Sequence, residues 1–168
     1  MTDLHKITIA EARTKLRKKE ITSVELTESC ISAVEESKAL NAYCVKTPEL
    51  AREQAKKADE LLSKGNAPDM CGIPLGIKDL FCTKNINSQA ASKILTDFKP
   101  EYESTVTSRL WDQGAIMLGK LNMDEFAMGL PLIPISEPTK RTPIPFPVSC
   151  WKKKSNIPHN LLSPCYIC

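Results

Sequence analysis

The sequence predicts an α/β fold: a helical front, then a βαβ portion of a mixed sheet, then an irregular tail. Three observations predict it. Residues 1–65 carry helix-start signals followed by apolar residues at helical spacing. Residues 66–129 alternate compact apolar runs with one helical pattern, the signature of strand, crossover helix and parallel strand. Residues 130–168 then hold eight of the twelve prolines and none of the six glycines, a composition that supports neither period.

Thr8 followed by Glu11 is a capping box, in which hydroxyl and carboxylate satisfy the free N–H groups of a helix start. Ile9, Ala12 and Leu16 then form the apolar face of a short helix ending near Lys19. Thr22 and Glu25 repeat the device, and Leu26, Cys30, Ala33 and Val34 continue an apolar stripe to about Lys38. A short strand is predicted over 41–45 (NAYCV). Thr47-Pro48 then reads as an N-cap with proline at the first helical position. That third helix runs through Leu50, Ala51, Ala55, Ala58, Leu61 and Leu62 and stops at Gly65. A buried strand is predicted over 73–81, a helical turn over 90–95, and a helix over 104–113 with Val106, Leu110 and Trp111 inward. Gly114 ends that helix, AIMLG (115–119) forms the second strand, and DEFAM (124–128) forms a last turn. The two strands of such a unit run parallel.

Charge separates the same regions. Residues 1–129 are nearly neutral, with 18 basic and 19 acidic groups, whereas the tail has five basic groups and one acid. The tail motifs are weak. Cys165 and Cys168 have metal-ligand spacing, with Cys150 and His159 nearby, but no second ligand pair closes a tetrahedron. Lys152, Lys153 and Lys154 have no aromatic platform beside them and read as a solvated run. The start MTDLHKITIA has an early Asp3 and no apolar core, so no signal peptide is expected. No run is long enough to span a membrane. Seven cysteines, an odd number scattered through predicted elements, fit free thiols in a reducing cytoplasm.

The run GIPLGIKDLF (72–81) threads Lys78 and Asp79 through apolar residues. A lysine at a strand end is ordinarily solvated. A lysine serving as general base must instead be neutral near pH 7, against an ordinary pKa of ~10.4, which takes about 4 kcal/mol of environmental effect. Burial among Ile77, Leu80 and Phe81 would act in that direction, and alternation along a strand would point the Asp79 carboxylate elsewhere. Spacing alone leaves both readings open.

The stretch GIPLGIKDLFCTKNINSQAASKIL, followed by YESTVTSRLWDQGAIMLGKLNMDEFAMG to Gly129, resembles the amidase signature family. Within that family it looks most like the A subunits of glutamyl-tRNA(Gln) amidotransferases, and the helical front and LNAYCVKTPEL (40–50) fit too. The resemblance covers about residues 1–129. It implies a mixed, largely parallel twisted sheet with helices on both faces, of which this chain carries the N-terminal portion. It implies that Lys78 is the catalytic base, acting through a serine on a cis peptide bond to activate a second serine. It implies glutamine hydrolysis that releases ammonia, with the B and C subunits as partners and tRNA reached through the complex. No cofactor or metal is expected in this chain, because ATP and Mg²⁺ belong to the partner.

Departures from the family pattern begin at Gly129. The family's two serines lie beyond it in a Gly/Ser-rich loop. This chain has no glycine there, and Ser136, Ser149, Ser155 and Ser163 stand beside residues that cannot build such a loop. Residues 130–168 are therefore expected to be a Pro-rich irregular tail, read as an out-of-frame end on a truncated amidase domain, and the chain alone is expected to be inactive. Two alternatives are a non-enzymatic fragment that docks on partner subunits and a small amide hydrolase using Cys82. Cys82 would share a strand face with Lys78 if the strand ran that far. Asn85, where relatives commonly carry glycine, is expected to take the left-handed backbone that Asn tolerates.

Overall fold

The computed structural model describes residues 4–65 and 67–128. The tail, with its metal-spaced cysteines, lysine run and serines, lies outside the described residues. Both predicted capping boxes form. Thr8 caps helix α1 (Ile9–Arg17) and Thr22 caps α2 (Ser23–Glu36), each with its glutamate returning to the cap N–H at 2.9 and 2.8 Å. The α1 helix ends before Lys19, which takes positive φ. The predicted short strand is β1 (Tyr43–Lys46), and proline opens α3 (Pro48–Ser63).

Thr47 does not cap α3 with its side chain. Its hydroxyl instead donates to the Met117 carbonyl at 3.2 Å and fastens the helix start to the sheet. Leu61 is exposed, contrary to the predicted stripe. The inner face of α3 is the alanine line Ala51, Ala55 and Ala58, and Leu61 falls about one residue's rotation off it. Small side chains let the helix approach β3 closely, and Gln54 reaches the Met117 N–H at 2.8 Å.

Strand β2 (Pro74–Lys78) is shorter than the predicted 73–81, and α4 (Thr105–Asp112) leads into β3 (Ile116–Leu121). The predicted βαβ unit is present, since β2 and β3 pair in parallel. The sheet order is β1-β3-β2, with β1 antiparallel to β3. The sheet is therefore mixed, as the fold class requires. One core joins α1, α2, β2 and β3 through Leu16, Leu26, Leu75, Ile77 and Met117. The other joins α3 to Ile116 and Leu118.

Two glycines make the three strands fit. Tyr43 of β1 lies across them: a Cβ on Gly76 would stand 2.9 Å from the Tyr43 hydroxyl and 2.9 Å from Leu121 Cδ2. A Cβ on Gly119 would run into the Val45 carbonyl oxygen. The start of α2 gains a further cap from outside, as Asp59 of α3 accepts the Ser23 and Val24 N–H groups at 2.7 and 3.2 Å. A carboxylate there also meets the positive end of the helix dipole. Among the described residues, no helix is long and apolar enough to cross a membrane.

Candidate active site

Lys78 is the last residue of β2, paired with Leu121 of β3. Its side chain is half-buried and helps line a shallow open hollow with Gly76, Ile77, Phe81, Val106, Thr107 and Leu110. The apolar surround expected from Ile77, Leu80 and Phe81 is only partly present. Ile77 is buried, Phe81 half-buried and Leu80 exposed. The reason is the early end of β2: Phe81 N–H donates back to the Lys78 carbonyl at 3.1 Å, so the chain turns and Leu80 swings outward. Among the described residues, no hydrogen bond or ion pair of the Lys78 amine is present.

Asp79 takes a separate path, as strand alternation requires. It is 3 % exposed, and its Oδ2 accepts the N–H groups of Gln89 and Ala91 at 3.1 and 3.4 Å. Its Oδ1 is buried without a partner among the described residues. The loop it holds is backbone-strained: Ala90 and Ala91 both have positive φ, 48° and 55°. Phe126 and Ala127 do too, and Phe126 N–H donates to the Ala90 carbonyl at 3.0 Å. Non-glycine residues in this region cost of order 1–3 kcal/mol each, and such strain gathers around functional sites. Ser92 completes the contact, donating to Glu125 at 2.6 Å. The predicted helical turns over 90–95 and 124–128 are single 3₁₀ turns, Lys93–Leu95 and Glu125–Ala127. Asn85 has φ 61°, as expected for a residue in a glycine position.

The most buried lysine is one that sequence reasoning misses. Lys120 in β3 is 0 % exposed. Its Nζ donates to the Phe81 carbonyl and, at 3.1 Å, to Thr83 Oγ1. Burial lowers its pKa, opposed by nearby Asp79. A signal exists: Lys120 sits between Gly119 and Leu121 in one continuous apolar run. Ending the predicted strand at Gly119 puts it on a loop, whereas β3 continues to Leu121.

Helix α4 also differs from its predicted face. Thr107 is buried, its hydroxyl bonded to the Cys82 carbonyl at 3.3 Å, and Val106 is exposed beside the hollow. Cys82 does not share a strand face with Lys78, because β2 stops four residues short of it. Its thiol points to the Tyr102 hydroxyl at 3.5 Å. The described cysteines, Cys30, Cys44, Cys71 and Cys82, are free thiols. Burial pushes the Cys30 thiol up to about 11. Burial and nearby Asp79 also raise Cys44. Among the described residues, no group of His, Cys, Asp and Glu could hold a metal ion.

Comparison with known proteins gives this arrangement its relatives. The amidase family model matches residues 25–132. The A subunit of the glutamyl-tRNA(Gln) amidotransferase of Jannaschia sp. (strain CCS1) is 64% identical over 129 residues, covering 77% of this chain and 26% of that protein. The counterpart from Dinoroseobacter shibae is 66% identical over 129 residues, with the same coverage. Among solved structures, a crystal structure of an amidase superposes with a TM-score of 0.67 at 31% identity, covering 73% of this chain and 28% of that one. The native peptide amidase from Stenotrophomonas maltophilia gives 0.66 at 27% identity, covering 71% and 25%. The chain thus spans about a quarter of the length of the curated relatives it matches. On the match over residues 25–132 and the shared fold, the chain belongs to the amidase family.

Proposed function

We propose that residues 1–129 are the lysine-bearing front of a glutamine-hydrolysing amidase, serving the conversion of glutamate to glutamine on tRNA(Gln) in translation. The observation that carries this reading is Lys78 at the end of a parallel strand, unpaired among the described residues and bordering an open hollow. The amine is free to act on a hydroxyl group brought to that hollow, taking its proton so that the oxygen can attack an amide carbon. The acceptor hydroxyls belong to the family's Gly/Ser-rich loop, which this sequence does not contain after Gly129. Residues 1–129 therefore supply the base and not its relay. The B and C subunits are the partners of this reading, ATP and Mg²⁺ act in the partner, and the compartment is the cytoplasm. The division at residue 129 belongs to the same proposal, with 130–168 as an out-of-frame end. What supports a change of character near that point is that the family match stops at residue 132 and the curated matches span 129 or 130 residues.

A chimera tests the reading. Residues 1–129 replace the corresponding stretch of the Jannaschia protein, which is assembled with that organism's B and C subunits, and ammonia release from glutamine is measured. The chimera is active, and Lys78→Met within it loses about 10²–10⁴-fold in kcat. An active chimera that tolerates Lys78→Met would overturn the assignment of the base.

A further inference from the structure

We propose that Lys120 is a positioning residue for Lys78: its buried ammonium fixes the turn that follows β2 and so sets where the Lys78 side chain emerges. The inference rests on the reading of Lys78 as the base, but its geometry stands apart from that reading. Two linked hydrogen bonds connect the residues. The Lys78 carbonyl accepts the Phe81 N–H at 3.1 Å, and the Phe81 carbonyl in turn accepts from Lys120 Nζ. Thr83 closes the arrangement. Its hydroxyl receives Lys120 Nζ at 3.1 Å and lies 3.4 Å from the same Phe81 carbonyl.

Neighbouring contacts make this turn a defined object rather than a loose loop. Asp79 N–H donates to the Leu121 carbonyl at 3.0 Å, directly beyond Lys120. The Cys82 carbonyl is held by Ser104 N–H and the Thr107 hydroxyl. Lys120 pairs in register with Ile77, whereas Lys78 pairs with Leu121. Alternation therefore places the two lysines on opposite faces of the sheet, and Lys120 acts through the backbone of the turn. A cation kept wholly out of water is costly to the fold. Here that cost is offset by the Phe81 carbonyl and the Thr83 hydroxyl, which accept its N–H groups and are held by them in turn.

The test is competitive acetylation of the full chain with acetic anhydride, read by mass spectrometry as the Lys78 rate relative to exposed Lys56. Lys120→Met frees the turn, releases the half-buried Lys78 stem to water and raises this ratio about threefold or more. Thr83→Val removes one partner of the same ammonium, keeps the shape of the side chain, and raises the ratio in the same direction. It provides the measurement if Lys120→Met does not fold. Leu16→Ala, a core change in α1, is the control for general loss of stability and leaves the ratio unchanged. An unchanged ratio in the folded Lys120 or Thr83 variant, or an equal rise in Leu16→Ala, would overturn the proposal. Because this readout needs no catalysis, a failure of the Lys78 base assignment would appear only in the chimera and not here.

Discussion

Replacing Asp79 with alanine removes the carboxylate on which the end of β2 and the strained loop both depend. The magnitude follows from its contacts. The bond to Gln89 N–H, at 3.1 Å and to a charged acceptor, contributes about 1.5 kcal/mol. The bond to Ala91 N–H, at 3.4 Å, is near the limit of useful geometry and contributes roughly half as much. Loss of a carboxylate whose charge favours the protonated, buried Lys120 adds roughly 1 kcal/mol, for a total of about 3 kcal/mol. For a domain of this size, thermal unfolding should then fall by roughly 9–15 °C. Asp79→Asn keeps one acceptor oxygen and loses roughly half as much. Hydrogen exchange localises the effect: amides of Gln89, Ala91 and Phe126 speed up before those of α2. A loss below about 1 kcal/mol, or faster exchange spread evenly over the protein, would refute the view that Asp79 is the anchor of this loop.

Two further predictions concern packing and pH. Gly119→Ala sets a methyl group against the Val45 carbonyl, and backbone cannot yield as a flexible side chain would, so stability falls by about 2 kcal/mol or more in urea unfolding. If Gly119→Ala unfolds like the parent, the strands do not pack as described. The stability difference between the parent and Lys120→Met should rise with pH in the alkaline range. A base held below its ordinary value binds fewer protons folded than unfolded, between the lowered value and 10.5, so the slope is positive there. Taking the difference matters, because Cys30, held at about 11, gives the opposite slope above about 9 in both proteins. A flat or falling difference would mean that Lys120 is not buried as a cation.

Local chemistry is legible in the sequence wherever one residue and its near neighbours decide the outcome. Thr8 with Glu11, Thr22 with Glu25, Pro48 and the left-handed Asn85 all follow from short-range rules. The parallel β2–β3 pair follows from the alternation of patterns. What is not legible depends on residues far apart in the chain. The Thr47 hydroxyl goes to Met117, the additional cap of α2 comes from Asp59, and Lys120 is buried because Phe81 and Thr83 turn back onto it. Alternation cannot report where a strand stops, which is why Leu80 reads as inside and Lys120 as outside. The hollow beside Lys78 needs Val106 from another element, and no local rule brings them together.

The sheet order β1-β3-β2 has a consequence for how the protein is made. On the ribosome β1 is synthesised early, yet its partner among the described strands, β3, is the last of them to emerge. The two outer strands do not touch, so this sheet cannot close until the central strand arrives. The nascent helices must meanwhile keep their apolar faces from self-association, a period in which unpaired edges invite aggregation. Until Ile116–Leu121 has left the ribosome, β1 and β2 have no strand between them to pair with.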